Sequence, residues 1–349
     1  MKDSNQSELM IKTAINKLLK GDSLTRKEAY RVMDEILSDK ATEAQISAFL
    51  VALQLKGSTV EEIAGSLDAY RERITPLSIK DENAIDISGT GGDNLGTFNI
   101  STAAAFVASG AGAKVVKHGY HSVSSQCGSA DVLKALGVKT ELFPDQFFQV
   151  FERVGLAFIF APRYKPVPRN FAGIRQSIGA RTFIHILDPL TKPALTKRQL
   201  IGVYDQKLSR LIAEVLKEFK LFRGMVVSGD NGLDELNISG KTLVLEIVGD
   251  EIKEYEVDPE QLGLQKWPVE EIRGGDAERN KQIILDILRG KPGAPRDVTI
   301  LNAAAALKVA GVVDTLEDGI QKAVTAIDSG AAMEKLEQII ELSRELNHH

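Results

Sequence analysis

The chain has 349 residues, 43% of them hydrophobic, which predicts a globular protein of two ordinary domains with enough apolar side chains for a core. Acidic residues outnumber basic residues by 48 to 43, and no Lys/Arg block suggests a nucleic-acid partner. A single cysteine, a polar start and no apolar run of about eighteen residues exclude a disulfide framework, a secretory signal and a membrane helix, so we expect a cytoplasmic protein.

The first eighty residues predict a small all-helical N-terminal domain. Apolar residues recur at three-to-four spacing from Ala29 to Leu37, which is the spacing of one helix face. Gly57 follows the apolar run Ile46–Leu55 and suits the left-handed position that ends a helix. Capping boxes mark three helix starts: Thr25 with Glu28, Thr42 with Gln45, and Ser58 with Glu61.

Beyond this region, short β-branched runs alternate with longer helical stretches. The alternation predicts parallel strands joined by crossover helices, and so a large α/β domain with a mostly parallel central sheet flanked by helices. The predicted strands are Ala84–Ser88, Ala113–Lys117, Ala157–Ala161, Gly224–Ser228 and Thr242–Val248. The predicted helices are Thr102–Ser109, Ala130–Leu136, Leu208–Phe219 and Ala277–Leu288.

A segment rich in Pro, Arg and Gly, Tyr164–Pro193, interrupts the alternation and predicts a crossing between two domains. We therefore predict a helical domain made of residues 1–80 with a crossing segment at about 165–195. Residues 81–164 and 196–347 are predicted to form the α/β domain.

The stretch Ile87–Thr102, ISGTGGDNLGTFNIST, places four glycines and an aspartate between a predicted strand and an Ala-rich helix. Glycines let the backbone approach a ligand closely, and a helix start offers unpaired N–H groups to an anion. The loop is not a Walker loop, because no Gly-Lys-Ser/Thr follows, and its glycine spacing differs from the dinucleotide fingerprint. We interpret it as a phosphate cradle; the alternative is a flexible strand-to-helix turn.

A second polar cluster, KHGYHSVSSQCGSAD, follows one strand later at Lys117–Asp131. Ligands of an open parallel sheet bind beyond the carboxyl ends of its strands. We therefore expect four residues beside the first loop: Lys117, Ser124, Ser125 and Ser129. Alone, a lysine is typical of solvated surface and serines of an ordinary loop. Their occurrence together favours a second anion-binding loop.

The third element, GDNGLDE at Gly229–Glu235, follows directly after a predicted strand. Its adjacent carboxylates, Asp234 and Glu235, can hold Mg2+, which keeps several waters and bridges a few carboxylates to substrate phosphates. An acidic pair is also typical of solvated surface or of a helix N-cap. This element alone does not decide between these interpretations.

Six motifs are similar, in order and spacing, to those of the anthranilate phosphoribosyltransferase family, class IV phosphoribosyltransferases with a nucleoside phosphorylase-like fold. They are GTGGD at Gly89–Asp93, FNIST at Phe98–Thr102, KHG at Lys117–Gly119, GSADVLKALG at Gly128–Gly137, FAP at Phe160–Pro162 and GLDE at Gly232–Glu235. The resemblance covers nearly the whole chain. It implies two domains joined by a hinge and a homodimer that contacts through the helical domains. It also implies Mg2+-dependent transfer from phosphoribosyl pyrophosphate (PRPP) to anthranilate, in tryptophan biosynthesis.

Carried over position by position, the resemblance implies a set of site residues. The implied PRPP contacts are Gly89, Thr90, Gly91, Gly92, Asp93, Thr97, Asn99, Ser101, Thr102, Lys117 and Ser129. The implied metal positions are Asp234, Glu235 and Ser101, with Asp93 associated. The implied acceptor contacts are Gly89, His118, Tyr120, Lys165 and Arg175. Lys117 and Arg175 are the implied catalytic residues, the second acting on the anthranilate carboxylate.

Seven positions depart from the family's usual residues, most of them implied to lie around the acceptor. Tyr120 and His121 replace Asn and Arg, and Lys165 replaces a histidine. The other four are His185 for Asn, Asp188 for Gly, Lys192 for Asn and Ser228 for His. Because the PRPP and magnesium motifs are retained, these departures leave the acceptor open. It is anthranilate or, as the alternative, a different aromatic or heteroaromatic acid.

Two further interpretations involve other functions. A pyrimidine nucleoside phosphorylase shares the implied fold, but the PRPP motifs fit this chain better than binding of phosphate alone. A catalytically silent relative that binds nucleotide or nucleic acid would lack GTGGD or GLDE and carry a basic groove, whereas both motifs are present and the net charge is -5. We therefore predict a pentosyltransferase. Its reaction needs no covalent nucleophile or strong base, so Cys127, His118, His121 and His185 need not be catalytic.

Overall fold

The computed structural model describes residues 9–121, 126–165 and 171–346. Fourteen α-helices lie in these residues: α1 Met10–Leu18, α2 Arg26–Leu37, α3 Glu43–Lys56, α4 Val60–Arg71, α5 Ile100–Gly110, α6 Ser129–Leu136, α7 Pro144–Val154, α8 Phe171–Ile178, α9 Phe183–Leu187, α10 Gln206–Glu218, α11 Ala277–Leu288, α12 Ala294–Ala310, α13 Leu316–Asp328 and α14 Ala331–Glu345. The same residues hold seven strands: β1 Ile85–Gly89, β2 Val115–Gly119, β3 Leu156–Phe160, β4 Arg198–Gly202, β5 Arg223–Gly229, β6 Thr242–Val248 and β7 Glu251–Val257.

The chain divides into two compact units. The first holds the described residues up to Thr75 together with Tyr164–Thr191. The second holds Pro76–Arg163 and the described residues from Lys192 onwards. The first unit is helical and the second contains all seven strands of the described residues, so the predicted fold class is confirmed.

In the helical unit, α1 packs on α2 and α3, and α2 packs on α4. The predicted capping boxes at Thr25 and Thr42 are present, because each hydroxyl accepts a hydrogen bond from the backbone N–H three residues later. Gly57 ends α3 as predicted, with a positive φ of +85°, but its ψ of 138° differs from the left-handed helical conformation that was expected there. Local side-chain chemistry therefore sets these helix boundaries.

The predicted capping box at Ser58 is wrong by one residue, because Thr59 caps α4 and pairs with Glu62. The sequence pattern fits both registers equally. Burial decides between them: the Glu62 carboxylate is fully buried and accepts from the Leu24 N–H at 2.8 Å and from the Lys56 ammonium group at 2.9 Å. A buried carboxylate with these partners joins three segments of the unit.

One seven-stranded sheet forms the centre of the second unit, in the order β3-β2-β1-β4-β5-β6-β7. Strands β1 to β5 are parallel, and β6 and β7 are antiparallel to their neighbours. All five predicted strands are present, and β4 and β7 were not predicted. The prediction that Thr242–Val248 belongs to the parallel set is wrong. This strand pairs antiparallel to β5 because residues 230–241 form a polar loop and no crossover helix.

Two Ala-rich helices of the second unit, α5 and α12, pack on each other. α5 follows the glycine loop, the glycine-rich segment between β1 and α5. α5 is buried from Thr102 to Ser109 and packs on α12, where Ala303–Ala306 is also buried. Small side chains let the two helices approach closely and fix the amino end of α5. α12 has 17 residues, and no helix in the described part of the chain is long and apolar enough to cross a membrane.

Candidate active site

The carboxyl ends of the parallel strands bring three loops together where the strand order reverses. The sheet runs from β1 to β2 and β3 on one side and to β4 and β5 on the other, and ligands bind at such a switch point. Gly89 ends β1 and pairs in register with Gly202, which ends β4. A Cβ added at either glycine would collide with Asp234. Only glycine therefore lets the acidic loop, the segment GDNGLDE at Gly229–Glu235, pack directly on these strand ends.

These loops surround a cavity of about 500 Å³. Its lining includes ten of the eleven predicted PRPP contacts: Gly89, Gly91, Gly92, Asp93, Thr97, Asn99, Ser101, Thr102, Lys117 and Ser129. Asp234 and Glu235 line the same cavity. Thr90 does not belong to the lining. It is buried, its Oγ1 accepts from the Tyr204 N–H at 3.2 Å and its own N–H donates to the Gly202 carbonyl at 2.9 Å, so Thr90 joins the loops after β1 and β4.

Residues with positive φ shape the loop after β1. They are Gly91 at +66°, Gly92 at +75°, Asn94 at +60° and Gly96 at +65°. Glycine and asparagine adopt this conformation with the least strain. The Gly91 N–H donates to Oδ2 of Asp234 at 2.6 Å, which connects the glycine loop to the acidic loop. The first turn of α5 also lines the cavity and supplies the N–H groups of a helix start.

The acidic loop places two carboxylates beside that helix start. The Ser101 N–H donates to Oε1 of Glu235 at 3.1 Å. Burial and the nearby Asp93 carboxylate raise the pKa of Asp234 to about 7. Burial and the Asp234 carboxylate raise the pKa of Glu235 to about 8. Crowded carboxylates of this kind are stabilised in their ionised form by a cation.

The donor set of this loop fits Mg2+. This ion keeps several waters and is bound through one or two carboxylates together with substrate phosphates. Asp234 and Glu235 supply two adjacent carboxylates at the wall of a cavity that also offers anion-binding N–H groups. Within residues 9–121, 126–165 and 171–346, no three His, Cys, Asp or Glu side chains form a group that could hold a metal ion by themselves.

The raised pKa values predict how stability depends on pH. The values of about 7 for Asp234 and about 8 for Glu235 lie above the ordinary 3.8 and 4.5, so the folded protein holds protons that the unfolded chain releases. The free energy of unfolding contributed by these groups is therefore expected to fall as the pH rises from about 4 to about 8. Mg2+ competes with the same protons, so its stabilising effect should grow as the pH rises.

Thermal unfolding between about pH 6 and about pH 9, with and without Mg2+, measures this dependence. The rise in unfolding temperature caused by Mg2+ is expected to increase across this range. The matched control is the double variant Asp234→Asn, Glu235→Gln, in which Mg2+ should have little effect at any pH. A Mg2+ effect that is constant with pH in the unsubstituted protein would contradict the prediction.

Lys117 places a buried ammonium group at the same cavity wall. The residue is 5% exposed, and its Nζ donates to the Ile87 carbonyl and to Oγ of Ser101, both at 3.0 Å. Burial lowers its pKa, whereas the carboxylates of Glu235, Asp86 and Asp234 act in the opposite direction. The cation therefore lies among β1, the start of α5 and the acidic pair.

The second loop follows Gly119, at the end of β2, and leads into α6 at Ser129. A Cβ at Gly119 would collide with the Ser129 hydroxyl, so the strand end and the helix start are in close contact. Cys127 is buried, and burial together with Asp131 raises the pKa of its thiol to about 11. The thiol is therefore protonated near pH 7 and packs as a small side chain. The predicted contacts Ser124 and Ser125 lie outside the described residues.

Three residues of the cavity lining, Gly274, Gly275 and Asn280, lie outside all three loops that the sequence predicted. Asn280 is 1% exposed; its Nδ2 donates to Oδ1 of Asn99 at 2.9 Å and its Oδ1 accepts from the Gly275 N–H at 2.8 Å. Asn99 in turn donates to the Cys127 carbonyl at 3.1 Å. Asn280 thus connects the glycine loop with the second loop. A Gly-Gly-Asp turn before a predicted helix was the available signal, because it has the glycine and carboxylate composition of the first loop.

Two predicted acceptor residues of the second unit lie outside the lining of this cavity. His118 is buried, and its Nδ1 lies 2.9 Å from Oδ2 of the fully buried Asp86. The Tyr120 carbonyl accepts from the Ala130 N–H at 3.1 Å, which holds the start of the second loop. His121 is exposed, with its Nδ1 2.6 Å from Oδ1 of Asp131.

The other two predicted acceptor residues belong to the helical unit. Lys165 and Arg175 both contact Asp188: the Lys165 Nζ lies 3.2 Å from Oδ1 and the Arg175 Nη1 lies 3.1 Å from Oδ2. His185 caps α9, because its Nδ1 accepts from the Thr182 N–H at 3.1 Å. Burial and the Arg175 charge lower the His185 pKa, so this histidine is neutral near pH 7. Its contacts give it a structural role.

Family models match both units. Residues 81–333 match the a/b domain of a glycosyl transferase family, and residues 12–74 match the helical bundle domain of a glycosyl transferase family. The chain is 45% identical over 338 residues to an anthranilate phosphoribosyltransferase of Thermoanaerobacter sp. (strain X514), covering 97% of this chain and 100% of that protein. It is 46% identical to the anthranilate phosphoribosyltransferase of Petrotoga mobilis, covering 95% of this chain and 97% of that protein.

Solved structures agree with the sequence matches. The crystal structure of an anthranilate phosphoribosyltransferase from Thermus thermophilus superposes with a TM-score of 0.88 at 36% identity, covering 95% of this chain and 99% of that one. The enzyme from Saccharomyces cerevisiae in complex with PRPP and Mg has a TM-score of 0.88 at 26% identity, covering 97% and 99%. Because two domain models and close relatives match nearly its whole length, the chain belongs to the anthranilate phosphoribosyltransferase family.

Proposed function

We propose that this chain transfers a phosphoribosyl group from PRPP to anthranilate, giving N-(5-phosphoribosyl)anthranilate and pyrophosphate in tryptophan biosynthesis. The observation that supports this proposal most directly is that the glycine loop, Lys117 and the carboxylates of Asp234 and Glu235 line the same cavity. It offers N–H groups, a fixed cation and a Mg2+ site to a ligand with separated phosphates. The Saccharomyces cerevisiae relative described in complex with PRPP and Mg, and in another structure with 4-fluoroanthranilate, supports the proposal.

In this proposal the second unit binds the donor. The PRPP contacts are Gly89, Thr90, Gly91, Gly92, Asp93, Thr97, Asn99, Ser101, Thr102, Lys117 and Ser129. The positive-φ glycines let backbone N–H groups approach phosphate oxygens without a side chain between them. Thr90 would act through the loop that it holds, because its Oγ1 is bonded to the Tyr204 N–H.

The reaction breaks the bond between the anomeric carbon and a pyrophosphate oxygen and forms a bond from that carbon to the acceptor nitrogen. The electron pair of the broken bond leaves with the pyrophosphate, so positive charge near that group lowers the barrier. Mg2+ bound by Asp234 and Glu235, with Ser101 beside them, would supply part of that charge. Lys117 supplies another part as a fixed ammonium group. The amine proton is released to solvent, because an aromatic amine conjugated to a carboxylate needs no strong base.

Arg175 is proposed to bind the acceptor carboxylate. A guanidinium group offers a planar set of N–H donors that matches a carboxylate. Gly89, His118, Tyr120 and Lys165 are proposed as further acceptor residues on the strength of the resemblance alone. The alternative acceptor class, a different aromatic or heteroaromatic acid, stays open, because Asp188 contacts both Arg175 and Lys165 and both Asp188 and Lys165 depart from the family's usual residues.

The test is the decay of anthranilate fluorescence with purified protein, PRPP and Mg2+. We expect decay that requires all three components. Parallel reactions replace anthranilate by other aromatic and heteroaromatic acids, with pyrophosphate release as the common readout. Pyrophosphate release only with another acid would move the proposal to that acceptor, and no release with any acid despite measurable PRPP binding would refute the transferase proposal.

We also propose a cytoplasmic homodimer that forms through the helical unit. Leu19, Val51 and Leu55 are exposed apolar residues at the end of α1 and along α3, two helices that pack on each other. Exposed apolar side chains grouped in this way are typical of a protein interface. Sedimentation equilibrium of the purified chain measures the assembly directly.

Nucleic acid is not proposed as a partner, because the net charge of the chain is -5.

A further inference from the structure

Asp188 divides its carboxylate between two cations of the helical unit. Its Oδ1 lies 3.2 Å from the Lys165 Nζ, and its Oδ2 lies 3.1 Å from the Arg175 Nη1. Thr191 closes the group, because its Oγ1 accepts from the Lys165 Nζ at 2.8 Å and donates to the Asp188 carbonyl at 3.0 Å. Lys165 and Thr191 therefore both contact Asp188, and neither of these contacts depends on Arg175.

The two cations differ in how open they are to a ligand. The Lys165 side chain is 3% exposed, whereas that of Arg175 is 22% exposed and that of Asp188 is 25% exposed. Burial opposes ionisation of Asp188, but Lys165 and Arg175 outweigh it and lower its pKa, so its carboxylate is charged near pH 7. Burial lowers the pKa of Lys165, and the Asp188 carboxylate acts in the opposite direction. With Lys165 protonated, the two cations and one anion have a net charge of +1. A second carboxylate can therefore be accommodated, and Arg175 is the cation exposed to it.

We propose that Asp188 is a specificity-determining residue, a built-in competitor whose carboxylate occupies Arg175 until the carboxylate of the acceptor replaces it. This inference rests on the proposed function, in which Arg175 binds an acid acceptor. During the exchange Asp188 keeps its contact with Lys165, so no buried charge loses its partner. The competitor lowers the affinity for every carboxylated acceptor. It has no such effect on a neutral aromatic amine, which cannot replace Asp188 on Arg175.

The exchange predicts opposite effects for the loss of Asp188 and for the loss of its other partner, Lys165. Asp188→Asn removes the competing charge, so KM for anthranilate is expected to fall about tenfold, equivalent to about 1.4 kcal/mol. Lys165→Met removes the cation that shares the Asp188 carboxylate, so Asp188 pairs with Arg175 alone and KM for anthranilate is expected to rise by a similar factor. Loss of local structure would instead raise KM in both variants. KM for PRPP should change less than about twofold in either variant.

Steady-state kinetics with anthranilate and with its neutral amide, anthranilamide, test the proposal. Asp188→Asn should increase the preference for the acid over the amide. The matched control is Asp68→Asn, because Asp68 also pairs with an arginine of the helical unit, Arg26 at 2.6 Å, and its loss should leave the preference unchanged. Thermal unfolding of each variant checks that it is folded. An Asp188→Asn variant with an unchanged or raised KM for anthranilate would overturn the inference.

Binding of benzoate and benzamide, measured by calorimetry, separates this inference from the proposed reaction. Benzoate reports on exchange at Arg175 without any turnover. If the unsubstituted protein does not consume anthranilate but Asp188→Asn binds benzoate more tightly, the proposed acceptor fails and the exchange stands. If anthranilate is consumed and benzoate affinity is the same with and without Asp188, only the exchange fails.

Discussion

Replacing Asp234 by Asn and Glu235 by Gln together is expected to lower kcat/KM for PRPP by about 10³-fold, equivalent to about 4 kcal/mol of transition-state stabilisation. The two carboxylates hold the Mg2+ that neutralises the departing pyrophosphate in the proposed reaction. Their amide replacements keep the shape and still accept from the Gly91 and Ser101 N–H groups, which bind Asp234 and Glu235 in the structure. The loss should therefore come from the missing charge.

Calorimetric titration with Mg2+ separates this loss from a loss of fold. The double variant is expected to show no heat of Mg2+ binding in the presence of PRPP, and PRPP itself should bind more weakly. Near pH 8 without Mg2+, the double variant should be at least as stable as the unsubstituted protein. Neutral amides avoid the cost of two ionised side chains whose pKa values are raised to about 7 and about 8.

A matched control is the double variant Asp258→Asn, Glu260→Gln. These two acids also lie close together in the second unit, where both contact the same cation, Lys266. They lie outside the cavity lining, so kcat/KM for PRPP should change less than about twofold. Full activity of the Asp234→Asn, Glu235→Gln variant would show that the acidic loop has no part in the reaction.

The sequence predicted the strands with an apolar pattern and missed the two without one. β6 is predicted at Thr242–Val248, its observed bounds, because TLVLEIV is a short and nearly continuous apolar run, which is typical of a buried strand. β4, RQLIG, has only two large apolar residues yet is buried throughout, since it lies between β1 and β5. β7, EIKEYEV, is largely exposed at the sheet edge, where charged residues prevent pairing with other chains. Both β4 and β7 form because of their positions in the sheet, and a local sequence pattern does not show those positions.

The site residues also fall into two groups, those with a local sequence signal and those whose role depends on a contact with a distant part of the chain. The glycine loop and the loop of the acidic pair were predicted because each follows a strand of the parallel set, and Lys117 because it lies towards the carboxyl end of another such strand, β2; these strand ends converge. Asn280 was missed because its role depends on a contact with Asn99, 181 residues earlier in the chain. The contact of Lys165 with Asp188 was likewise invisible, although both residues depart from those usual in the family. A single sequence shows two unusual charges but not that they lie in contact with each other.

Lys117→Met is expected to raise KM for PRPP about 100-fold and to lower kcat, while leaving Mg2+ binding intact or tighter. The methionine keeps most of the buried length but removes the ammonium group that contacts the Ile87 carbonyl and the Ser101 hydroxyl. A fixed cation next to a polyphosphate is worth a few kcal/mol in a partly buried site, which corresponds to about two orders of magnitude. Steady-state kinetics and calorimetry with PRPP measure both effects.

The expected effect on Mg2+ follows from the charges around Lys117. Its ammonium group favours ionisation of Glu235 but also repels a second cation near that carboxylate. Removing it eliminates this repulsion, so Mg2+ affinity near pH 9, where the acids are ionised, should stay the same or rise. The double variant Asp234→Asn, Glu235→Gln should behave differently, because it is expected to lose Mg2+ binding. The two variants together therefore distinguish a cation that binds the substrate from carboxylates that bind the metal.

Lys192→Met is the matched control for the loss of a buried lysine. The Lys192 Nζ also donates to a backbone carbonyl and a hydroxyl, those of Thr196 at 3.1 Å and 2.9 Å, and Lys192 lies outside the cavity lining. Both variants should unfold at a lower temperature, because each leaves buried acceptors without their donor. Only Lys117→Met should weaken PRPP binding. Equal PRPP affinity in the two variants would assign Lys117 to the fold, and the phosphates would then depend on the glycine loop and Mg2+ alone.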